Sequence, residues 1–222
     1  MLREIITFSL MCFSAVFFVV DPFAAVPMFL AMTPHDSADK RRRMALRAAL
    51  AAGVLLTAFA LVGALIFKAL GITIGAFKIA GGILLLLMAI DMLRTRTSPT
   101  RITEGEVQDG AEKDDIAIVP LAMPMLAGPG SIATVIVLMG RARAEAWWQV
   151  IPVLAAILLT ALLSYLVLLG AARVDRVLGR TGMNILSRVA GLLLAAIAVQ
   201  FMLDGLVDGL GAVLVAPRAA PG

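Results

Sequence analysis

The stretch VVDPFAAVPMFL, residues 19–30, sets a carboxylate and two prolines, Asp21, Pro22 and Pro27, inside an otherwise apolar run. An ionisable group there is expensive, and each proline withholds an N–H and crowds the carbonyl one turn earlier, in surroundings where lipid offers no replacement partner. Residues of these types at this spacing open a helix and leave carbonyls from Asp21 to Pro27 to coordinate an ammonium group or a cation. A second stretch, PMLAGPGS at residues 124–131, has the same device: Pro124 and Pro129 are five apart, as Pro22 and Pro27 are, and Ala127 stands where Ala25 stands, all at an offset of 102. Gly128 and Gly130 permit backbone conformations closed to other residues, so this segment should unwind further. A half-helix resuming near Ser131 would aim N–H groups and its positive end at a carboxylate. Ser131 resembles an N-cap, and Thr134 would share its face. Cation-seeking carbonyls beside an anion-seeking helix start describe a site for a zwitterion, built from Asp21, Pro22, Ala25, Pro27, Pro124, Gly128, Pro129, Gly130, Ser131 and Thr134. Asp-Pro is also a frequent helix start, so Asp21 has two readings: a cap for the half-helix after Pro22, or a group that couples transport to an ion. Lys78 and Arg188, about a turn and a half inside their own apolar runs, either snorkel to the interface or pair with Asp21 or with helix C-terminal carbonyls. No metal site is expected: Cys12 is the only cysteine and His35 the only histidine.

The elements that must position these groups are membrane helices. Of the 222 residues 61% are hydrophobic and 15% charged, well above the roughly 45–50% apolar content of soluble domains. Six apolar runs, at about residues 5–32, 44–67, 70–93, 116–140, 147–172 and 183–206, are long enough to cross a hydrocarbon core of ~30 Å as helices and far too long for barrel strands. The first run covers 28 residues, about 42 Å as a helix, so a break or a strong tilt must absorb the excess. The expected organisation is a first three-helix unit at 1–93, a charged cytoplasmic loop at 94–115, a second unit at 116–209 and a flexible tail at 210–222. Small residues four apart, Gly71 with Gly75, Ala76 with Ala80 and Gly191 with Ala195, are expected at close helix contacts. Ser164 and Tyr165 read as packing residues, and Asp91, Asp204 and Asp208, at the ends of runs, as solvated.

Basic residues set the orientation. The connections after the first, third and fifth runs hold Lys40, Arg41, Arg42, Arg43, Arg47, Arg94, Arg96, Arg101, Lys113, Arg173, Arg176 and Arg180, whereas the other side holds only Arg3, Lys68, Arg141, Arg143 and Arg218. By the positive-inside rule both termini face outward. The net charge of +4 is thus a topology signal, and a nucleic-acid partner has no support. Residues 1–4 make a poor basic leader and the first run outlasts a signal-peptide core, so no cleavable signal is expected.

The two units also echo each other: KIAG at residues 78–81 matches RVAG at 188–191, and LMAIDML at 87–93 resembles IAVQFML at 197–203. Because three spans make an odd number, the second unit must enter from the opposite side. This is an inverted repeat, an arrangement in which paired interrupted helices mark the substrate site of many secondary transporters. There is no P-loop, no G-x-S-x-G and no His/Glu metal pattern, so neither an ATP-driven pump nor a membrane protease is indicated and the protein is not expected to be an enzyme.

The stretches DPFAAVPMFL from Asp21, IGAFKIAGGILL from Ile74, VPLAMPMLAGPGSIAT from Val119 and VAGLLLAAIAVQFMLDGL from Val189 resemble the MarC family of bacterial and archaeal membrane proteins, whose members include the SnatA-like small neutral amino acid transporters. Ala24 and Ala25 stand where many relatives show Gly-Asn. The resemblance implies a six-span protein of the inner membrane with outward termini, carrying small neutral amino acids such as glycine and alanine. The expected function is a secondary carrier coupled to H⁺ or Na⁺ and needing no other cofactor, with the amino acid and the lipid bilayer as partners and self-association compatible with the chain. A channel for ions or small polar solutes and a nontransporting membrane scaffold are the alternatives.

Overall fold

The computed structural model describes residues 2–33, 36–69, 71–94 and 126–215, and these are helical throughout apart from turns and short connections. In chain order the helices are α1 (Leu2–Val20), α2 (Ala25–Met32), α3 (Ala38–Ala69), α4 (Ile74–Leu93), α5 (Pro129–Glu145), α6 (Val150–Leu169) and α7 (Ala171–Val215), with a 3-10 turn at Trp147–Gln149 before α6. Among the described residues, five segments are long and apolar enough to cross a membrane: Arg3–Val20, Ala38–Gly63, Gly75–Leu93, Trp147–Leu169 and Thr181–Leu210. They correspond to the first, second, third, fifth and sixth expected runs. Much of the fourth run and most of the loop at 94–115 lie outside the described residues. The tail expected from residue 210 begins later, since α7 continues to Val215.

Local chemistry explains the ends. Thr73, in extended conformation, accepts the Ala76 N–H on its side chain at 3.1 Å and so starts α4. Gly170 closes α6, and α7 begins at the very next residue, so the connection expected between the last two runs is itself helical. It is set off from the membrane segment by a break at Gly179 (φ 56°, ψ −174°). That conformation is nearly exclusive to glycine and costs other residues on the order of 1–3 kcal/mol. A side chain at Gly179 would meet nothing within 4 Å, so the substitution isolates the backbone term. Gly179→Ala is expected to lower the thermal midpoint in detergent by roughly 2–10 °C. Gly209→Ala, at an open helical position, is expected to leave it unchanged.

The most extensive helix pairing is between α4 and α7, and small residues make it. Gly75 and Gly205, Gly82 and Ala198, and Ala89 and Gly191 face each other, so each helix presents a small residue every seven positions and the two strings run in opposite directions. A Cβ on Gly205 would lie 2.6 Å from the Gly75 carbonyl oxygen, one on Gly82 2.7 Å from the Ala198 oxygen, and one on Gly191 3.1 Å from the Ala89 oxygen. Backbones this close exchange dispersion contacts that larger side chains would prevent. The expected four-residue pairs are therefore corrected. Gly75 and Gly191 do sit at the seam, but Ala76 and Ala80 are exposed, and Gly71 serves its turn with φ 69°. The matching glycines of KIAG and RVAG also do different work, because Gly81 packs against Ala133 of α5 while Gly191 packs against α4.

Helix α5 occupies the centre. Ten of its residues are buried, from Gly130 to Ala142, between α4 at Gly81, α3 at Gly63, where Ile136 fills the space of the missing side chain, α1 and α6. Ser164 is buried and donates to the Thr160 carbonyl at 2.8 Å, and Tyr165 packs on the core, in line with their packing role.

Candidate functional site

The long first run is interrupted. Helix α1 closes with the Asp21 N–H donating to Phe17 O at 2.9 Å; the next carbonyl, of Phe18, would require an N–H at Pro22, which has none. Asp21 then adopts φ 46°, a left-handed conformation that aspartate and asparagine tolerate better than other side-chain-bearing residues. The Ala24 N–H donates to Asp21 O at 3.2 Å and lies 3.3 Å from Asp21 Oδ1. The Val26 N–H covers Phe23 O at 3.1 Å, the carbonyl that Pro27 leaves without its usual partner. The opening expected from Asp21 to Pro27 is thus confined to residues 21–24, and Pro27 belongs to the first turn of α2. Asp21 does hold the turn before α2 with its carboxylate, although the N-cap position is Ala24, which caps with no side chain. Asp21, Pro22 and Ala25 are buried and Pro27 is exposed. At the other end of α2 the Thr33 carbonyl accepts Arg41 Nε at 3.0 Å and Nη2 at 2.6 Å, a cation where the helix dipole is negative.

The second segment is described from residue 126 onward, at the start of α5. Gly128, extended at φ −74° and ψ 173°, is the N-cap of α5, Pro129 is its first residue, and Ile132 N–H donates to Gly128 O at 3.0 Å. Ser131, expected to be the cap, is the third helical residue, because proline fits the first helical position and needs no N–H there. Within the helix the N–H groups of Gly130 and Ser131 have no carbonyl a turn back. Ser131 and Thr134 are buried, at 2% and 0% exposure, and the Thr134 hydroxyl donates to Gly130 O at 2.9 Å. Gly130 is helical, so unwinding does not explain it. A Cβ there would lie 2.5 Å from Met88 Sδ and 3.0 Å from Leu85 Cδ2, so a larger residue would have to displace these two side chains of α4. Gly130→Leu should therefore destabilise by about 1–3 kcal/mol through overpacking. Met88→Ala, which clears the sulfur, should restore most of the thermal midpoint in the double variant. Pro124 lies outside the described residues.

Helices α1 and α5 pack against each other and share a cavity. Met11 of α1 lines a cavity with Arg141 of α5, and Ser14 and Ala15 line it with Val137 and Leu138. The same turn of α4 serves both: Val19 shares a buried cluster with Leu85 and Met88, the residues against which Gly130 packs. The last turn of α1, at Val19, and the first turn of α5, at Gly130, are thus both packed against the Leu85–Met88 turn of α4.

The expected charge pairing resolves differently. Lys78 is 9% exposed, and its Nζ lies 2.7 Å from Asp208 Oδ2 at the far end of α7. Asp208, expected to be solvated, is the partner that the sequence did not reveal. Arg188 is exposed on α7 and pairs with none of the described residues. Beyond the membrane segments, Glu145 accepts Arg141 Nε at 2.7 Å and Gln149 Nε2 at 3.0 Å, and these hydrogen bonds, Arg141 first, hold its carboxyl below the usual carboxylate range.

Similarity to other proteins agrees with this architecture. The family model described as MarC family integral membrane protein matches residues 6–210. A UPF0056 membrane protein of Methanocaldococcus jannaschii is 43% identical over 90% of this chain and 96% of its own length. Another from Aquifex aeolicus is 39% identical over 85% and 87%. The UPF0056 membrane protein YhcE of Escherichia coli is 33% identical over 87% and 89%. No solved structure matches. With a family match over nearly its whole length and relatives in archaea and bacteria, this chain belongs to the MarC family of multi-pass integral membrane proteins.

Proposed function

We propose that this protein is a secondary carrier for small neutral amino acids such as glycine and alanine, coupled to H⁺ or Na⁺, working by alternating access around the layer where the two interrupted segments meet. The observation that supports this reading is that the last turn of α1, which ends at the buried Asp21, and the buried start of α5, Gly130 and Ser131, pack against the same turn of α4. In this reading the substrate carboxylate takes the N–H groups of Gly130 and Ser131 and the Ser131 hydroxyl, while its ammonium group takes Asp21 and the carbonyl end of α1. Gly128 and Pro129 shape the helix start, Pro22 and Pro27 shape the first break, and Ala25 and Thr134 close the layer. The surroundings, dominated by Val, Leu, Met and Ala, suit a methyl group and give no partner to a polar side chain. The two units form an inverted repeat of six spans, with both termini outward across the inner membrane, a reading supported by the charge bias and the paired breaks. Burial of the side chains in the layer favours a carrier over a channel, which needs an open path.

Reconstitution tests this. Proteoliposomes should show saturable alanine uptake that is accelerated by unlabelled alanine inside. Linear, non-saturating flux without counterflow would make the protein a channel, and no flux with any amino acid of a wide panel would remove transport altogether.

A further inference from the structure

The end of the bundle where α2 finishes, α3 begins and α6 turns into α7 holds a cavity of about 260 Å³, with Arg41, Arg42, Leu169 and Ala172 among the residues that line it. Arg41 is fixed by its two hydrogen bonds to the Thr33 carbonyl. Arg42 and Arg43 are exposed on α3. On α7 the exposed Arg173 follows Ala172 directly, and the exposed Arg176 stands one turn, about 6 Å, further along the Ala172 face. Three carboxylates lie in the same two segments, 36–47 and 171–178. Asp36 is held by Lys40 at 2.8 Å, whereas Asp39 and Asp175 are exposed and, among the described residues, pair with none of these arginines. Outside the Lys40–Asp36 pair the corner therefore sets six arginines, at 41, 42, 43, 47, 173 and 176, against two aspartates. An anion is favoured there.

Apolar faces lead away from the arginines. On α3, Arg42 is followed at four-residue intervals by Leu46, Leu50 and Val54, which are 43%, 58% and 68% exposed and share its face. On α6, the exposed Leu162, Leu166 and Leu169 share a face that ends at the cavity. Both strings lie in segments long and apolar enough to cross a membrane, so acyl chains cover them. The two helices meet closely between the strings, where a Cβ on Gly53 would lie 3.1 Å from Ala161 Cβ. A ligand that suits this corner carries negative charge at the level of the arginines and hydrocarbon beneath. Inorganic phosphate meets only the first need, and a zwitterionic phospholipid brings its own cation to a corner that is already positive. At the ~30 Å³ that each water occupies in the liquid, the cavity equals about nine waters, room for a phosphate group.

We propose that this corner is a binding site for an anionic phospholipid, with its phosphate between Arg42 and Arg176 and its acyl chains along the Leu46, Leu50 and Val54 face of α3. Arg43 and Arg173 flank the headgroup. The site is independent of any transported substrate, and it ties the start of α3 to the helical connection between α6 and α7 through the lipid.

Quenching by brominated lipid tests this in the whole protein. Trp147→Phe/Trp148→Phe/Leu46→Trp leaves one tryptophan, on the face below Arg42, and Leu50→Trp replaces Leu46→Trp if that variant does not insert. In phosphatidylcholine vesicles, dibrominated phosphatidylglycerol is expected to quench this tryptophan more than dibrominated phosphatidylcholine at the same mole fraction, with a relative affinity of at least about fivefold, the contribution of one arginine near an anionic headgroup. Adding Arg42→Gln/Arg176→Gln should bring the ratio to about one. Arg3→Gln, which lies at the opposite end of the bundle with Trp148, should leave the preference unchanged. Equal quenching by the two lipids would overturn the site, and so would a preference that survives Arg42→Gln/Arg176→Gln. Loss of the preference on adding inorganic phosphate at constant ionic strength would make free phosphate the occupant and overturn the lipid assignment.

Discussion

Gly205→Leu is expected to leave little correctly folded protein. The first added carbon would stand 2.6 Å from Gly75 O, 2.8 Å from Ile79 Cγ1 and 3.0 Å from Lys78 Cβ, and two of these three obstacles are backbone or backbone-attached atoms that cannot swing aside. Helices α4 and α7 would have to separate along a seam that runs from Gly75 to Gly191, losing close packing at Gly82 as well, and the Lys78–Asp208 pair spans the same contact. Overpacking ordinarily costs about 1–3 kcal/mol, and here the strain falls on the most extensive helix pairing among the described residues, so a loss of at least that size is expected. In detergent the thermal midpoint should fall by roughly 10 °C, or the protein should elute as aggregate. Gly209→Leu, one turn later and facing open space, is the control and should behave as the native chain. A native midpoint for Gly205→Leu would mean that α4 and α7 do not pack through this seam.

The second large effect is expected at Asp21. Asparagine keeps an acceptor oxygen for the Ala24 N–H at 3.3 Å, tolerates φ 46° nearly as well, and fits the same buried volume, so Asp21→Asn changes charge with little change in shape. If Asp21 carries the coupling ion, the variant should still exchange alanine in counterflow but fail to concentrate it. One unit of pH gradient is worth about 1.4 kcal/mol, roughly tenfold accumulation per coupled proton. In Asp21→Asn that ratio should fall to about one under either a pH or a sodium gradient. Accumulation equal to that of the native protein would leave Asp21 as the residue that holds the turn before α2 and nothing more. Asp21→Ala separates the structural part: it loses the acceptor and places a residue less suited to positive φ at the break, so its midpoint should drop where that of Asp21→Asn does not.

The amino-acid sequence by itself determined the membrane class, the family and five of the helices, because run length, apolar content and proline position act locally and do not depend on what packs against them. It located the break at Asp21 and Pro22 for the same reason: a proline cannot donate an N–H in any context. It did not determine how far each break extends. Pro27 reads as part of an opening, yet a single i+3 hydrogen bond from Val26 to Phe23 lets α2 enclose it. Ser131 reads as a cap, yet Pro129 takes the first helical position ahead of it. Gly130 reads as a hinge, and only the side chains of Met88 and Leu85, more than forty residues earlier in the chain, show that it is a contact. The partner of Lys78 was hidden in the same way, since whether Asp208 meets water or lysine is decided by the register of two antiparallel helices 130 residues apart. Local backbone chemistry is written in neighbouring residues. The choice of which faces meet belongs to packing, where one glycine every second turn sets how near two backbones can come.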